Sequence, residues 1–327
     1  MPPRRLRVVV TRRLPPPVEA RLAELFEAEL RPDDRPMPRE ALVDALARAD
    51  VLVPTVTYRI DAPLLARAGE GLRLIANYGA GVDHIDVASA RQRGILVSNT
   101  PGVSAEDTAD MAMALILSVL RRLPEGMSLA QNEEWEGWAP TALLGRRTAG
   151  LRLGVLGMGQ VGRAVGRRAR AFGMEVLYHT RRRLRPEAED ELGAQWRESL
   201  DQMLSQVDVL SVSVPASPGT FHLLNARRLA LLPKGAVVVN TSRGEVVDEN
   251  ALTRALRAGE LAGAGLDVHE RGASINPRLK ALPNVVLLPH MASATHEGRI
   301  EMGERVIINV RTHQDGHRPP DLVLPGT

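Results

Sequence analysis

The sequence predicts an α/β protein made of parallel sheets covered by helices, with enough chain for two domains. Short apolar runs suited to buried strands alternate with amphipathic helical segments along the whole chain. A glycine-rich strand–turn–helix–strand unit occupies Leu151–Arg183. The length, 327 residues, allows two ordinary cores.

In order, Leu6–Thr11 reads as the first strand, and Pro15-Pro16-Pro17 ends it. Val18–Leu30 follows as an amphipathic helix with Leu22, Leu25 and Phe26 on its apolar face. Ala41–Ala49 is a second helix and Val51–Val53 a buried strand. Leu64–Ala68 is helical and Leu72–Ala76 is a third strand. It runs into Asn77-Tyr78-Gly79-Ala80-Gly81-Val82-Asp83, a glycine-rich loop at a strand's carboxyl end, where open α/β sheets bind ligands. Backbone N–H groups of Ala80 and Gly81 suit a small anion, although a plain tight turn has the same sequence pattern. Ile95–Val97 is a further strand, and Ser104–Leu123 a long helix with Glu106 and Asp107 at its positive end. Gln131–Pro140 reads as a polar loop holding Trp135 and Trp138, two of the three tryptophans, which points to an interface or to local packing of the pair.

In the central unit, Leu153, Val155 and Leu156 form a strand, followed at once by Gly157-Met158-Gly159-Gln160-Val161-Gly162. Gly157 permits the turn, Gly159 admits a pyrophosphate and Gly162 lets helix and sheet pack closely. A G-x-G-x-x-G pattern alone matches many turns; its flanking elements, in this order, make it a dinucleotide site. The second strand, Glu175–Tyr178, ends in His179, Thr180, Arg181, Arg182 and Arg183. NAD sites normally place there a carboxylate for the ribose hydroxyls. Three guanidiniums suit a 2′-phosphate instead, although a solvated basic loop has the same pattern; the expected cofactor is NADP(H), preferred over NAD(H).

Beyond it, Val207–Val214 runs into Pro215 and Ala236–Asn240 into Thr241-Ser242-Arg243-Gly244. Gly263–Val268 carries Asp267, and Val285–Leu288 leads to Pro289-His290. Each strand thus delivers polar residues to the ligand side of the sheet. An Arg there can clamp a carboxylate and a neighbouring carbonyl, and a His can protonate that carbonyl oxygen as hydride reaches carbon. Thr295–Thr312 is a last amphipathic helix, and 313–327 reads as a tail.

Composition narrows the alternatives. A net charge of +3, from 42 basic and 39 acidic residues, gives no reason to expect a nucleic-acid partner. Without cysteine there are no disulfides or thiolate metal sites, and no metal is expected. No apolar run approaches the roughly 18 residues of a membrane helix. The basic start lacks a signal-peptide core, so a cytoplasmic protein is expected.

Several longer stretches identify a family resemblance. They are NYGAGVDHID at Asn77–Asp86, NTPGVSAEDTAD at Asn99–Asp110, the glycine motif, VNTSRGEVVDENAL at Val239–Leu252, AGAGLDV at Ala262–Val268 and LPNVVLLPHMASAT at Leu282–Thr295. Together they resemble the D-isomer-specific 2-hydroxyacid dehydrogenases, in particular the NADP-using glyoxylate/hydroxypyruvate reductases. The resemblance implies two Rossmann-like doubly wound domains, with a coenzyme domain at 100–288 inserted in a catalytic domain at 1–99 and 289–327. It implies that Arg243 binds a small 2-oxo acid, His290 is the acid/base, and Ala80 and Gly81 hold the substrate carboxylate. Thr108, Pro215, Thr241 and Asp267 would line the coenzyme beside the residues from Met158 to Gly162 and Thr180, Arg181 and Arg182. It also implies a homodimer formed through the coenzyme domain, with Trp138 on an arm that reaches the other subunit's active site and its substrate.

One position departs from the family. A Glu normally stands five residues after the Asp of the GLDV motif, bonds the catalytic His and keeps it protonated; here that place is Gly272. His290 is then expected to titrate nearer an unperturbed value of about 6.5. Glu270, two positions earlier, could replace the missing group only if its loop rearranged. Two further readings follow: a weakened or inactive dinucleotide-binding interaction protein, and a dehydrogenase for a larger 2-hydroxy acid, decided by Val53–Thr57 and Trp138.

Overall fold

A computed structural model describes residues 4–324. The chain divides into two compact units, one comprising residues up to Ser104 and from Ala294 onward, the other Ala105–Ser293. Both crossing points lie slightly later in the chain than the expected boundaries, so His290 falls in the second unit.

The first unit is a five-stranded parallel sheet of β1 (Arg7–Val10), β2 (Glu27–Glu29), β3 (Val51–Val53), β4 (Leu74–Ala76) and β5 (Leu96–Ser98). Its order is β2-β1-β3-β4-β5. Val51–Val53 and Leu74–Ala76 are buried on both faces, as their unbroken apolar sequences require when helices cover both sides. Helices Pro16–Leu25 and His296–Gln314 share one core with β1 through Val18, Leu22, Met302 and Val306.

Two expectations are corrected here. The first helix stops at Leu25 rather than Leu30, because Phe26 turns into extended backbone and buries its ring. Glu27–Glu29 then forms the edge strand β2, parallel to β1, with Glu27 paired to Arg7 and Glu29 to Arg48. The stretch after 313 is not simply a tail. The last helix reaches Gln314, Leu322 bridges to Ser98, and the Val323 N–H bonds Val97 O, so this segment lies along the exposed edge of β5. Residues 325–327 of that stretch lie outside the described residues.

The second unit holds seven parallel strands: β6 (Arg152–Leu156), β7 (Glu175–His179), β8 (Ala194–Trp196), β9 (Val209–Val212), β10 (Ala236–Asn240), β11 (Leu261–Leu266) and β12 (Val285–Leu287). The order β12-β11-β10-β9-β6-β7-β8 reverses direction between β6 and β9. A crevice at such a reversal is where doubly wound sheets take their ligands. The helix expected over Ser104–Leu123 is Ala105–Leu120, and a further helix, Leu123–Gln131, follows it. Arg122 between them is left-handed (φ 53°), and Pro124 opens the second, since proline is accepted in a first turn but not inside a helix. Among the described residues, no helix is long and apolar enough to cross a membrane. None of their His, Asp and Glu side chains gather in groups of three that could hold a metal ion.

Candidate active site

In the second unit, the turn after β6 is built by close approach. Gly157 has φ +95°, and a Cβ on it would lie 2.6 Å from Ser213 O on the next strand. A Cβ on Gly162 would lie 2.1 Å from Gly157 O, so the helix Gln160–Ala171 rests directly on the turn. Gly159 differs, because its Cβ would meet no atom within 4 Å. Packing within the protein therefore does not require glycine there, whereas a group lying over the helix start would. No side chain caps that helix, leaving its first N–H groups for a phosphate. Nearby strand ends carry buried hydroxyls without hydrogen-bond partners, Ser213 Oγ after β9 and Thr241 Oγ1 after β10. Met158 is buried beneath the turn, Gln160 is exposed and Val161 half-buried at the helix start. Thr108 is buried on the helix Ala105–Leu120, and Pro215 follows β9, where its carbonyl accepts from Thr220. These features fit a dinucleotide.

The arginine run after β7 divides. Arg183 binds Glu189 through Nε and Nη2, at 3.0 and 2.7 Å, and lies over the Trp196 ring at 5.7 Å. Of the three guanidiniums in the run, Arg183 is thus engaged within the protein, and Arg181 and Arg182 are exposed. Thr180 Oγ1 donates to Arg182 O at 2.6 Å and shapes that turn. Glu189 was missed in the sequence because nothing local marks a nearly buried carboxylate on the next helix. It also accepts from the Tyr178 hydroxyl at 2.5 Å. Arg183 holds the Glu189 carboxyl below its ordinary range, while burial and then Glu189 push the Tyr178 hydroxyl up to about 12.

Arg243, Asp267 and His290 follow β10, β11 and β12, three adjacent strands of one parallel sheet. The Arg243 backbone carbonyl accepts from Asn240 Nδ2 at 2.9 Å, and its Nη1 donates to Ser242 O at 2.8 Å. Asp267 is fully buried. Its Oδ1 accepts the Met291 N–H at 2.7 Å, its Oδ2 the Ala292 N–H at 2.8 Å, and its carbonyl the His290 N–H at 2.8 Å. His290 itself is exposed and left-handed (φ 59°). Such a conformation costs a non-glycine residue about 1–3 kcal/mol and persists where its surroundings enforce it. The Asp267 clamp does so.

Gly272 is also left-handed (φ 57°), in a turn closed by its N–H on His269 O at 3.1 Å. A Cβ there would meet nothing within 4 Å. Glu270 is engaged elsewhere: Oε1 lies 3.1 Å from His222 Nε2, and Oε2 accepts the Glu249 N–H at 3.3 Å.

In the first unit, the loop after β4 is pinned through its carbonyls. Buried Asn77 donates from Nδ2 to Gly79 O and Gly81 O, each at 2.9 Å, and Asn99 Nδ2 donates to Ala80 O at 2.7 Å. No hydrogen bond among the described residues uses the Ala80 or Gly81 N–H, so both remain available to an anion.

Residues 113–292 match the family model for the D-isomer specific 2-hydroxyacid dehydrogenase, NAD binding domain. This chain belongs to that family. A glyoxylate reductase of Thermococcus litoralis is 42% identical over 97% of this chain and 96% of its own length. A Thermus thermophilus protein of known structure superposes with a TM-score of 0.90 at 43% identity, covering 98% of this chain and 100% of that one. An NADPH-dependent glyoxylate/hydroxypyruvate reductase from Sinorhizobium meliloti, solved with NADP and malonate, gives a TM-score of 0.86 at 34% identity, covering 98% and 97%. The two parallel-sheet α/β units are those of 2-hydroxyacid dehydrogenases, and the chain is an oxidoreductase by family.

Proposed function

We propose that this chain reduces glyoxylate or hydroxypyruvate with NADPH. The observation that carries the proposal is the alignment of Arg243, Asp267 and His290 on three adjacent strand ends, in the same sheet as the uncapped glycine-motif helix. The glyoxylate reductase relatives support the substrate class, and the exposed pair Arg181 and Arg182 supports the phosphorylated cofactor. Bound nicotinamide dinucleotide supplies the hydride. Gly159, Gln160, Val161 and Gly162 would hold its pyrophosphate on backbone N–H groups, with Arg181 and Arg182 against the 2′-phosphate. Arg243 binds the carboxylate and carbonyl of the 2-oxo acid, and Ala80 and Gly81 take the carboxylate on their N–H groups. His290, held by Asp267, donates its proton to the carbonyl oxygen as that oxygen becomes a hydroxyl.

The arm carrying Trp135 and Trp138, exposed to 67% and 85%, would pair with a second copy of the chain. Exposed Met127 and Leu144 extend the same apolar segment.

One observation favours a second reading, a dinucleotide-binding protein with faded chemistry. It is glycine at 272, with Glu270 committed to His222. Following NADPH oxidation with glyoxylate and with hydroxypyruvate separates the two, with NADH as the comparison. Turnover favouring NADPH supports the reductase. Tight NADPH binding without turnover supports the second reading.

A further inference from the structure

His269 is nearly sealed from solvent, with 4% of its side chain exposed. Its Nε2 lies 2.9 Å from the carbonyl oxygen of Leu288, two residues before His290. A carbonyl only accepts, so Nε2 carries a proton there. Nδ1 has no hydrogen-bond partner and lies 3.9 Å from Glu249 Oε1, itself buried.

The backbone of the same residue meets the segment that carries Arg243. A Cβ on Gly244, the residue after Arg243, would lie 2.0 Å from the His269 carbonyl carbon and 2.4 Å from Glu270 N. Reciprocal bonds lock this contact in place. The Glu270 N–H donates to Glu249 Oε1 at 2.7 Å, and the Glu249 N–H to Glu270 Oε2 at 3.3 Å. His269 therefore abuts the Arg243 turn through its main chain and the His290 segment through its ring.

Bonds from the end of β11 hold the His290 segment. Leu288 N–H bonds Leu266 O, His290 N–H bonds Asp267 O, and the next two N–H groups bond the Asp267 carboxylate. Pro289 has no N–H to add. The Leu288 carbonyl joins this set through a second side chain, the His269 ring.

We infer that His269 is a positioning residue, which fixes the segment bearing His290 against the turn bearing Arg243. The catalytic part of this inference rests on the reductase reading above; the structural part does not. Small displacements of a catalytic group cost large factors in rate, and Gly272 offers no side chain to assist.

The test uses the full chain and two variants. His269→Phe keeps the volume and removes the donor, while His269→Gln can return an N–H to Leu288 O. Amide hydrogen exchange is followed for His290, Met291 and Ala292, alongside NADPH binding and glyoxylate kinetics. The expected result for His269→Phe is roughly tenfold faster exchange confined to these amides, with NADPH affinity kept. Its kcat should fall by about tenfold with KM little changed. His269→Gln should restore both. Unchanged exchange at these amides overturns the inference. Faster exchange across the whole sheet with loss of NADPH binding also overturns it, since that marks a general structural role. If the unaltered protein turns over neither substrate, the reductase reading fails, and the exchange data still decide the positioning role.

Discussion

The carbonyl oxygen of Asp267 accepts the backbone N–H of His290 at 2.8 Å, while the Asp267 carboxylate takes the next two N–H groups. A residue expected from family resemblance to line the coenzyme thus also sets the backbone of the candidate acid/base. Charge-assisted bonds of this kind contribute about 1.5–3 kcal/mol each. Asp267→Ala should lower domain stability by about 2–4 kcal/mol and reduce kcat by at least tenfold. Asp267→Asn, which keeps one acceptor oxygen, should lose less of both. Denaturant melts and steady-state kinetics measure these effects, and wild-type kcat in Asp267→Ala would remove the clamp from the mechanism.

The arginines after β7 should separate in function. Arg181→Ala and Arg182→Ala are each expected to weaken NADPH binding by roughly tenfold and leave NADH binding unchanged. Arg183→Ala should leave the ratio of the two affinities unchanged and lower the melting temperature, because Arg183 serves Glu189. Fluorescence titration with both cofactors distinguishes these outcomes. An equal loss for all three variants would contradict the division.

Glu189 should make the coenzyme unit sensitive to acid. Arg183 holds its folded-state pKa below the unfolded value. The stabilisation is therefore present above the unfolded pKa of about 4.3 and is lost as pH falls through the folded value. Melting temperatures between about pH 3 and pH 6 should fall less steeply in Glu189→Gln than in the unaltered chain. Parallel curves would show that Glu189 is not the responsible group.

The reduction should slow as pH rises, because the proton that His290 donates is absent from the neutral imidazole. The pH at which the decline falls should depend on the side chain at 272, because a neighbouring carboxylate stabilises the imidazolium. Gly272→Glu should move it upward. That variant places a side chain at φ 57°, at a cost of about 1–2 kcal/mol, but in open space. A profile flat from about pH 5.5 to 8.5 would refute the account of His290.

Self-association should depend on the exposed arm. Trp135→Ala combined with Trp138→Ala is expected to shift sedimentation toward the monomer and leave NADPH binding to the glycine motif intact. An unchanged sedimentation profile would place the contact elsewhere.

The fold class, the glycine turn, the strands that deliver Arg243, Asp267 and His290, and the family are all legible along the chain. These signals are local: apolar runs of strand length, glycines at fixed spacing and motifs read along the chain. Tertiary structure decided which polar groups meet. Glu189 takes Arg183 from the cofactor run, and Glu270 turns to His222. His269 reaches Leu288 O across 19 residues, and Phe26 ends its helix so that Glu27–Glu29 can join a sheet edge. Nothing near these residues in sequence distinguishes a carboxylate or imidazole with a buried partner from one in water. For Glu270 and His269 the partner arrives only when segments distant in the chain become neighbours, and burial then makes an unpaired polar group costly enough to decide the pairing.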